Sequence, residues 1–132
     1  MSRIKISELS LGDIFKPVTT YDGHSQREHP SMKVVGLGED WVYAQIDPEQ
    51  GDPFEYDSTE VYGAEITPEF IASNDFKGRL SLPTNGKGKA PGRFTYTSQD
   101  SNTVISGIRY IHQLQHAMRL CGQTDEADRL KP

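Results

Sequence analysis

Turn-forming residues punctuate the first sixty-five positions of this chain so closely that only short strands fit between them. Gly12-Asp13 precedes Ile14-Phe15-Lys16-Pro17-Val18, a run with β-branched and aromatic side chains. Thr20 to Ser31 is polar, contains Asp22-Gly23 and His29-Pro30, and reads as a loop. Met32-Lys33-Val34-Val35-Gly36 and Trp41-Val42-Tyr43-Ala44-Gln45-Ile46 follow as strands, and Leu37-Gly38-Glu39-Asp40 suits the hairpin connection between them. Asp47 to Pro53 is a loop by its Pro and Gly content. Phe54-Glu55-Tyr56 and Thr59-Glu60-Val61-Tyr62 have the length of edge strands. Short strands at this spacing predict a small barrel or roll.

The pattern then changes. Thr67-Pro68-Glu69-Phe70 is a helix start, with Thr as N-cap, Pro at the first helical position and an acid in the first turn. This helix is expected to end near Asn74. Arg79 to Leu82 and Arg93 to Thr97 alternate as strands do, joined by the Gly/Pro-rich Pro83 to Gly92. A further short strand falls near Thr103-Val104-Ile105. A last helix is predicted from about Ser106 to Cys121, where Ile111, Leu114, Met118 and Cys121 form one apolar stripe that Ile108, Ala117 and Leu120 broaden. Gly122 is its stop, and the polar tail from Gln123 is expected to fray. At 132 residues, with Trp41, six Tyr and five Phe as large apolar side chains, the chain has the means to bury a core. The expected fold is α+β in one compact domain. A β-rich half, 1–65, precedes a helix–hairpin–helix half, 66–132, that shares its core.

Gly12-Asp13-Ile14, Pro30-Ser31-Met32-Lys33-Val34 and Val42-Tyr43-Ala44 resemble the layout of small SH3-like barrels. That layout bears on fold and says little about function. Ile66-Thr67-Pro68-Glu69, Asn74-Asp75-Phe76 and Tyr110-Ile111-His112-Gln113-Leu114-Gln115 resemble a family of small uncharacterised proteins from gut-bacterial genomes, prophages and mobile elements. The chain departs from that pattern at Asp75, where Gly is usual, and at His116, where Asn is common. The resemblance implies an α+β fold and a phage or mobile-element origin, and implies no activity.

Charge is sorted along the chain. Between Val34 and Asp75 stand eleven carboxylates and no Lys or Arg. Between Phe76 and Gln99 stand Lys77, Arg79, Lys87, Lys89 and Arg93 and no Asp or Glu. Two surfaces of opposite potential are expected, and such surfaces steer partners. The net charge of −5 argues against a general duplex-DNA binder, which needs many cations on phosphates. The basic stretch with its neighbours Phe94 and Tyr96 is the candidate binding patch. Its target is a protein partner or a second copy of the chain. The alternative is a single-stranded nucleic acid, with Lys on phosphates and the aromatics stacked on bases.

Catalysis finds little foothold. His112 and His116 have the helical spacing of a metal pair, which keeps a metal-dependent enzyme as a further alternative. Gln113, however, stands where a hydrolytic zinc site wants Glu, and no third ligand is evident. The acidic loop from Asp47 lacks the spacing of a calcium hand, with Gly51 fifth and Ser58 twelfth. Asn85-Gly86-Lys87-Gly88-Lys89 lacks the phosphate-loop pattern and a following helix. Cys121, the only cysteine, fits a small core residue and permits no intrachain disulfide. No signal-peptide run or membrane span is visible. The expectation is a cytoplasmic, non-catalytic interaction module with no cofactor, no metal and no membrane association.

Overall fold

In a computed structural model of the chain, which describes residues 3–46, 52–74, 78–81, 93–100 and 102–132, the first half forms six antiparallel strands, five of them from the turn-bounded runs. The fold is α+β, and the chain divides into two compact units, Met1–Ala64 with Pro132, and Glu65–Lys131.

The first unit is one curled, barrel-like sheet. Its strands are β1 (Ile14–Tyr21), β2 (Ser25–Glu28), β3 (Met32–Leu37), β4 (Trp41–Gln45), β5 (Phe54–Asp57) and β6 (Val61–Gly63). They run in the order β2-β1-β3-β4-β5, and β6 returns to pair with β1. Strand β1 serves three partners by dividing its length. Ile14 and Phe15 face β3, Phe15 to Pro17 face β6, and Val18 to Tyr21 face β2. The curl encloses Phe15, Met32, Val34, Val42, Ala44, Tyr56 and Val61, to which Ile4, Ile6 and Leu9 add from the N-terminal segment. Strand alternation explains the selection, since Val42 and Ala44 point inward while Trp41 between the turn and Val42 is exposed.

The Gly-Asp signature works as a clamp at the start of β1. Asp13 is fully buried, and its carboxylate accepts the Ser10 N–H at 2.8 Å. The backbone of the same corner exchanges bonds with β3, Gly12 N–H to Val34 O at 2.9 Å and Val34 N–H to Asp13 O at 2.8 Å. Thus a turn residue sets where β1 lies against β3.

The segment Thr20 to Ser31, expected as a loop, is largely a hairpin. Strand β1 runs on to Tyr21, Asp22 (φ 52°) and Gly23 (φ 79°) turn the chain, and β2 pairs back. Asp22 Oδ1 accepts the N–H groups of His24 and Ser25. Strand β2 escapes sequence patterning because Gln26, Arg27 and Glu28 are all exposed, leaving no apolar face to alternate with.

In the second unit, α1 (Pro68–Ser73) starts as expected, with Thr67 Oγ1 accepting the Phe70 N–H at 3.1 Å. Strands β7 (Arg79–Ser81), β8 (Phe94–Thr97) and β9 (Val104–Ile108) form a three-stranded antiparallel sheet. The Gly/Pro-rich link between β7 and β8, residues 75–77 and the acidic stretch at 47–51 lie outside the described residues.

Three expectations near the end are corrected. The last long helix, α2 (Ile111–Leu120), starts five residues later than Ser106, because Ser106 to Ile108 stay in β9, where Ile108 pairs with Phe94. Its start is held by Gln113, whose Oε1 accepts both the Arg109 N–H at 2.8 Å and the Tyr110 N–H at 3.0 Å. Leu120 does not broaden the apolar stripe; it is 79% exposed. The stop at Gly122 (φ 79°) is a full Schellman turn, with Gly122 N–H bonded to Arg119 O and Gln123 N–H to Met118 O.

The tail does not fray but forms α3 (Thr124–Arg129). Ala127 and Leu130 are buried, Gln115 donates to Ala127 O at 3.1 Å, and Arg119 pairs with Asp128 at 2.9 Å. Asn74 then holds the backbone of Lys131, accepting its N–H at 2.7 Å and donating to its carbonyl at 3.0 Å. Among the described residues, no helix is long and apolar enough to cross a membrane.

Candidate functional site

The β7–β8 hairpin separates the residues assigned to its patch. Arg79 and Arg93 are exposed. Arg79 pairs opposite Thr97, four residues beyond Arg93, which places the two backbone positions about 13 Å apart along the strand at ordinary rise. Lys77, Lys87 and Lys89 lie outside the described residues. Phe94 and Tyr96 are buried, so neither ring is open to a stacked base in this conformation.

Tyr96 has a different part to play. Its ring is fully buried, and its hydroxyl donates to Gln123 Oε1. A methyl group at Gly78 would run into the phenol ring, so β7 enters over Tyr96 only because that position has no side chain. Burial, reinforced by the Glu126 charge and the Cys121 sulfur, pushes the phenol up to about 12, against the opposing Gln123 hydrogen bond. Cys121 is also pushed up, by burial first and the Asp100 charge second, which keeps it a thiol rather than a nucleophilic thiolate. Asp100 is held below its ordinary range by the Ser98 hydroxyl and then by the Asn102 N–H.

His112 and His116 do meet on α2. Their rings stand edge to face with centroids 5.8 Å apart, and buried His112 stacks on Tyr110 at 6.0 Å. Among the described residues, no three His, Cys, Asp or Glu side chains converge as a metal would need.

The first unit also presents an aromatic feature on its outer surface. Trp41 is 37% exposed and stands on the outer face of β4 beside Tyr43. Their rings are perpendicular with centroids 4.7 Å apart. On one side lie bare glycines of β3 and its turn. A Cβ at Gly38 would come within 2.7 Å of the indole, and one at Gly36 within 3.0 Å of the Tyr43 ring. On the other side β5 places Asp57 opposite Trp41 and Glu55 opposite Tyr43, directly paired residues that share a face. Glu39 and Asp40, both exposed, occupy the turn before β4, and the Asp40 carbonyl accepts the Ser58 N–H at 3.0 Å.

The result is an aromatic corner with a border of carboxylates. Two glycines spaced under two aromatics across a hairpin carry the sequence signal for it. Reading that signal needs the register, and a bulge between Val34 and Gly36 shifts the register by one residue.

Set against known protein families, curated proteins and solved structures, the chain matches none.

Proposed function

We propose that this protein is a non-catalytic module that binds a protein partner through the acidic surface of its first unit, and that a second copy of the chain is the first partner to consider. The observation that carries this is the gathering of exposed Glu39, Asp40, Glu55 and Asp57 along β4 and β5, in a stretch with no Lys or Arg of its own from Val34 to Asp75. Exposed Arg79 and Arg93 of another copy are of the complementary sign. Fields of this kind set orientation and encounter rate more than affinity, and salt weakens them.

Sedimentation velocity tests the proposal. At about 20 mM salt the chain should associate, and at about 0.5 M, where screening shortens to a few ångströms, it should return to monomer. A monomer at both concentrations, or a dimer indifferent to salt, counts against the proposal.

A further inference from the structure

We infer that the corner between Trp41 and Tyr43 receives an arginine side chain of a protein partner. The inference rests on the interaction module proposed above and names the chemistry it recognises. Three features converge on one face of β4 and β5. Trp41 and Tyr43 meet at right angles, so a guest side chain finds two ring surfaces at once. The indole lies over Gly38, and Trp41 as a residue is 37% exposed. Carboxylates stand directly across the strand pair, Asp57 from Trp41 and Glu55 from Tyr43.

The carboxylates are not equivalent. Asp57 Oδ1 is engaged by the Thr59 N–H at 2.8 Å and by the Thr59 hydroxyl. The Glu55 carboxylate, among the described residues, has neither an ion-pair nor a hydrogen-bond partner. A ring face attracts a cation, most strongly when the ring is an indole, and a carboxylate beside it accepts the cation's N–H groups. Arginine suits both demands better than lysine, because its planar guanidinium stacks on a ring while its edge bonds the carboxylate at two points. An uncharged apolar guest would gain from the rings alone and leave Glu55 unused.

Trp41 is the only tryptophan, so its fluorescence reports on this corner alone. The probes are acetyl-Gly-Arg-Gly-amide and its citrulline counterpart, which has the same shape without the charge, each titrated at about 20 mM salt. The arginine peptide should give a saturable change and the citrulline peptide none. Glu55→Gln should weaken arginine binding by about threefold, the scale of one exposed cation–π or ion-pair contact. Gly38→Ala keeps every charge but displaces the indole, and should weaken it at least as much, with circular dichroism confirming the sheet.

No saturable response to arginine, an equal response to citrulline, or binding indifferent to Glu55→Gln would overturn the assignment. A silent indole in a chain that still associates in a salt-sensitive manner removes this corner and leaves the interaction module standing. If the indole is silent and the chain does not associate either, both fall.

Discussion

Replacing Gln113 by Ala tests how the chain passes from β9 into α2. One side-chain oxygen accepts two backbone N–H groups there, Arg109 at 2.8 Å and Tyr110 at 3.0 Å. Both donors precede the helix and have no partner within it. Each bond contributes about 0.5–1.5 kcal/mol net, and half-buried Arg109 lets water recover part of its share. A loss of about 1–2 kcal/mol follows. Alanine's higher helix propensity offsets a few tenths of this, so the measured loss understates the bonds.

For a chain of 132 residues, unfolding entropy of about 2.1 cal/mol/K per residue converts that loss into a fall in Tm of roughly 4–7 °C. Gln113→Glu keeps an acceptor at the same place and adds a negative charge at the helix N-terminus, where the dipole favours it. It should melt within about 2 °C of the unaltered chain, the span of a few tenths of a kcal/mol. Thermal melts followed by circular dichroism at 222 nm, an ordinary helix signal, compare the three. An alanine variant that melts with the parent, or glutamate and alanine variants that melt together, would refute the capping role of Gln113.

Gly78→Ala should destabilise the second unit by about 1–3 kcal/mol, because its methyl meets a phenol ring that is fully buried and has no room to retreat. In a urea-melt double-mutant cycle, Tyr96→Phe removes the hydroxyl nearest that methyl and should recover part of the loss, while strict additivity would refute the clash. At alkaline pH the folded Tyr96 titrates at about 12, above its ordinary value of 10.0. The folded state therefore holds its proton longer than the unfolded state does. Stability from this group is complete below pH 10 and is lost as pH rises toward 12. Absorbance at 295 nm in parent and Tyr96→Phe chains should show one late-titrating tyrosinate that the variant lacks, and an identical pair of curves would refute the assignment.

Local signals were legible where one residue type has one use. Thr67-Pro68 opens a helix, Gly122 closes one, and the run from Trp41 forms the expected strand β4. Signals failed where the partner is far along the chain or the pattern has no apolar contrast. Strand β2 buries no apolar side chain, so nothing marks it except its neighbour β1. The tail looks free because its anchors, Asn74 and Gln115, stand 57 and 12 residues from the backbone groups they hold. Ile108 fits a helical stripe by spacing, and its pairing with Phe94 takes it into β9 instead. The basic stretch is contiguous in sequence, yet a hairpin extends along its own length, which sets Arg79 and Arg93 apart.

The amino-acid sequence by itself determined the α+β class, the succession of strands and helices apart from β2 and α3, and the segregation of acid from base. All three depend on residue identity and near-neighbour spacing. Only the tertiary structure decided which aromatics face outward. Trp41 counts only among the large apolar side chains available to a core until β4 is paired. Then the period-two alternation that buries Val42 must expose Trp41, a bulge sets Gly36 against Tyr43, and β5 supplies carboxylates from a strand more than ten residues away. Register is a property of two strands together, and no single stretch of chain contains it.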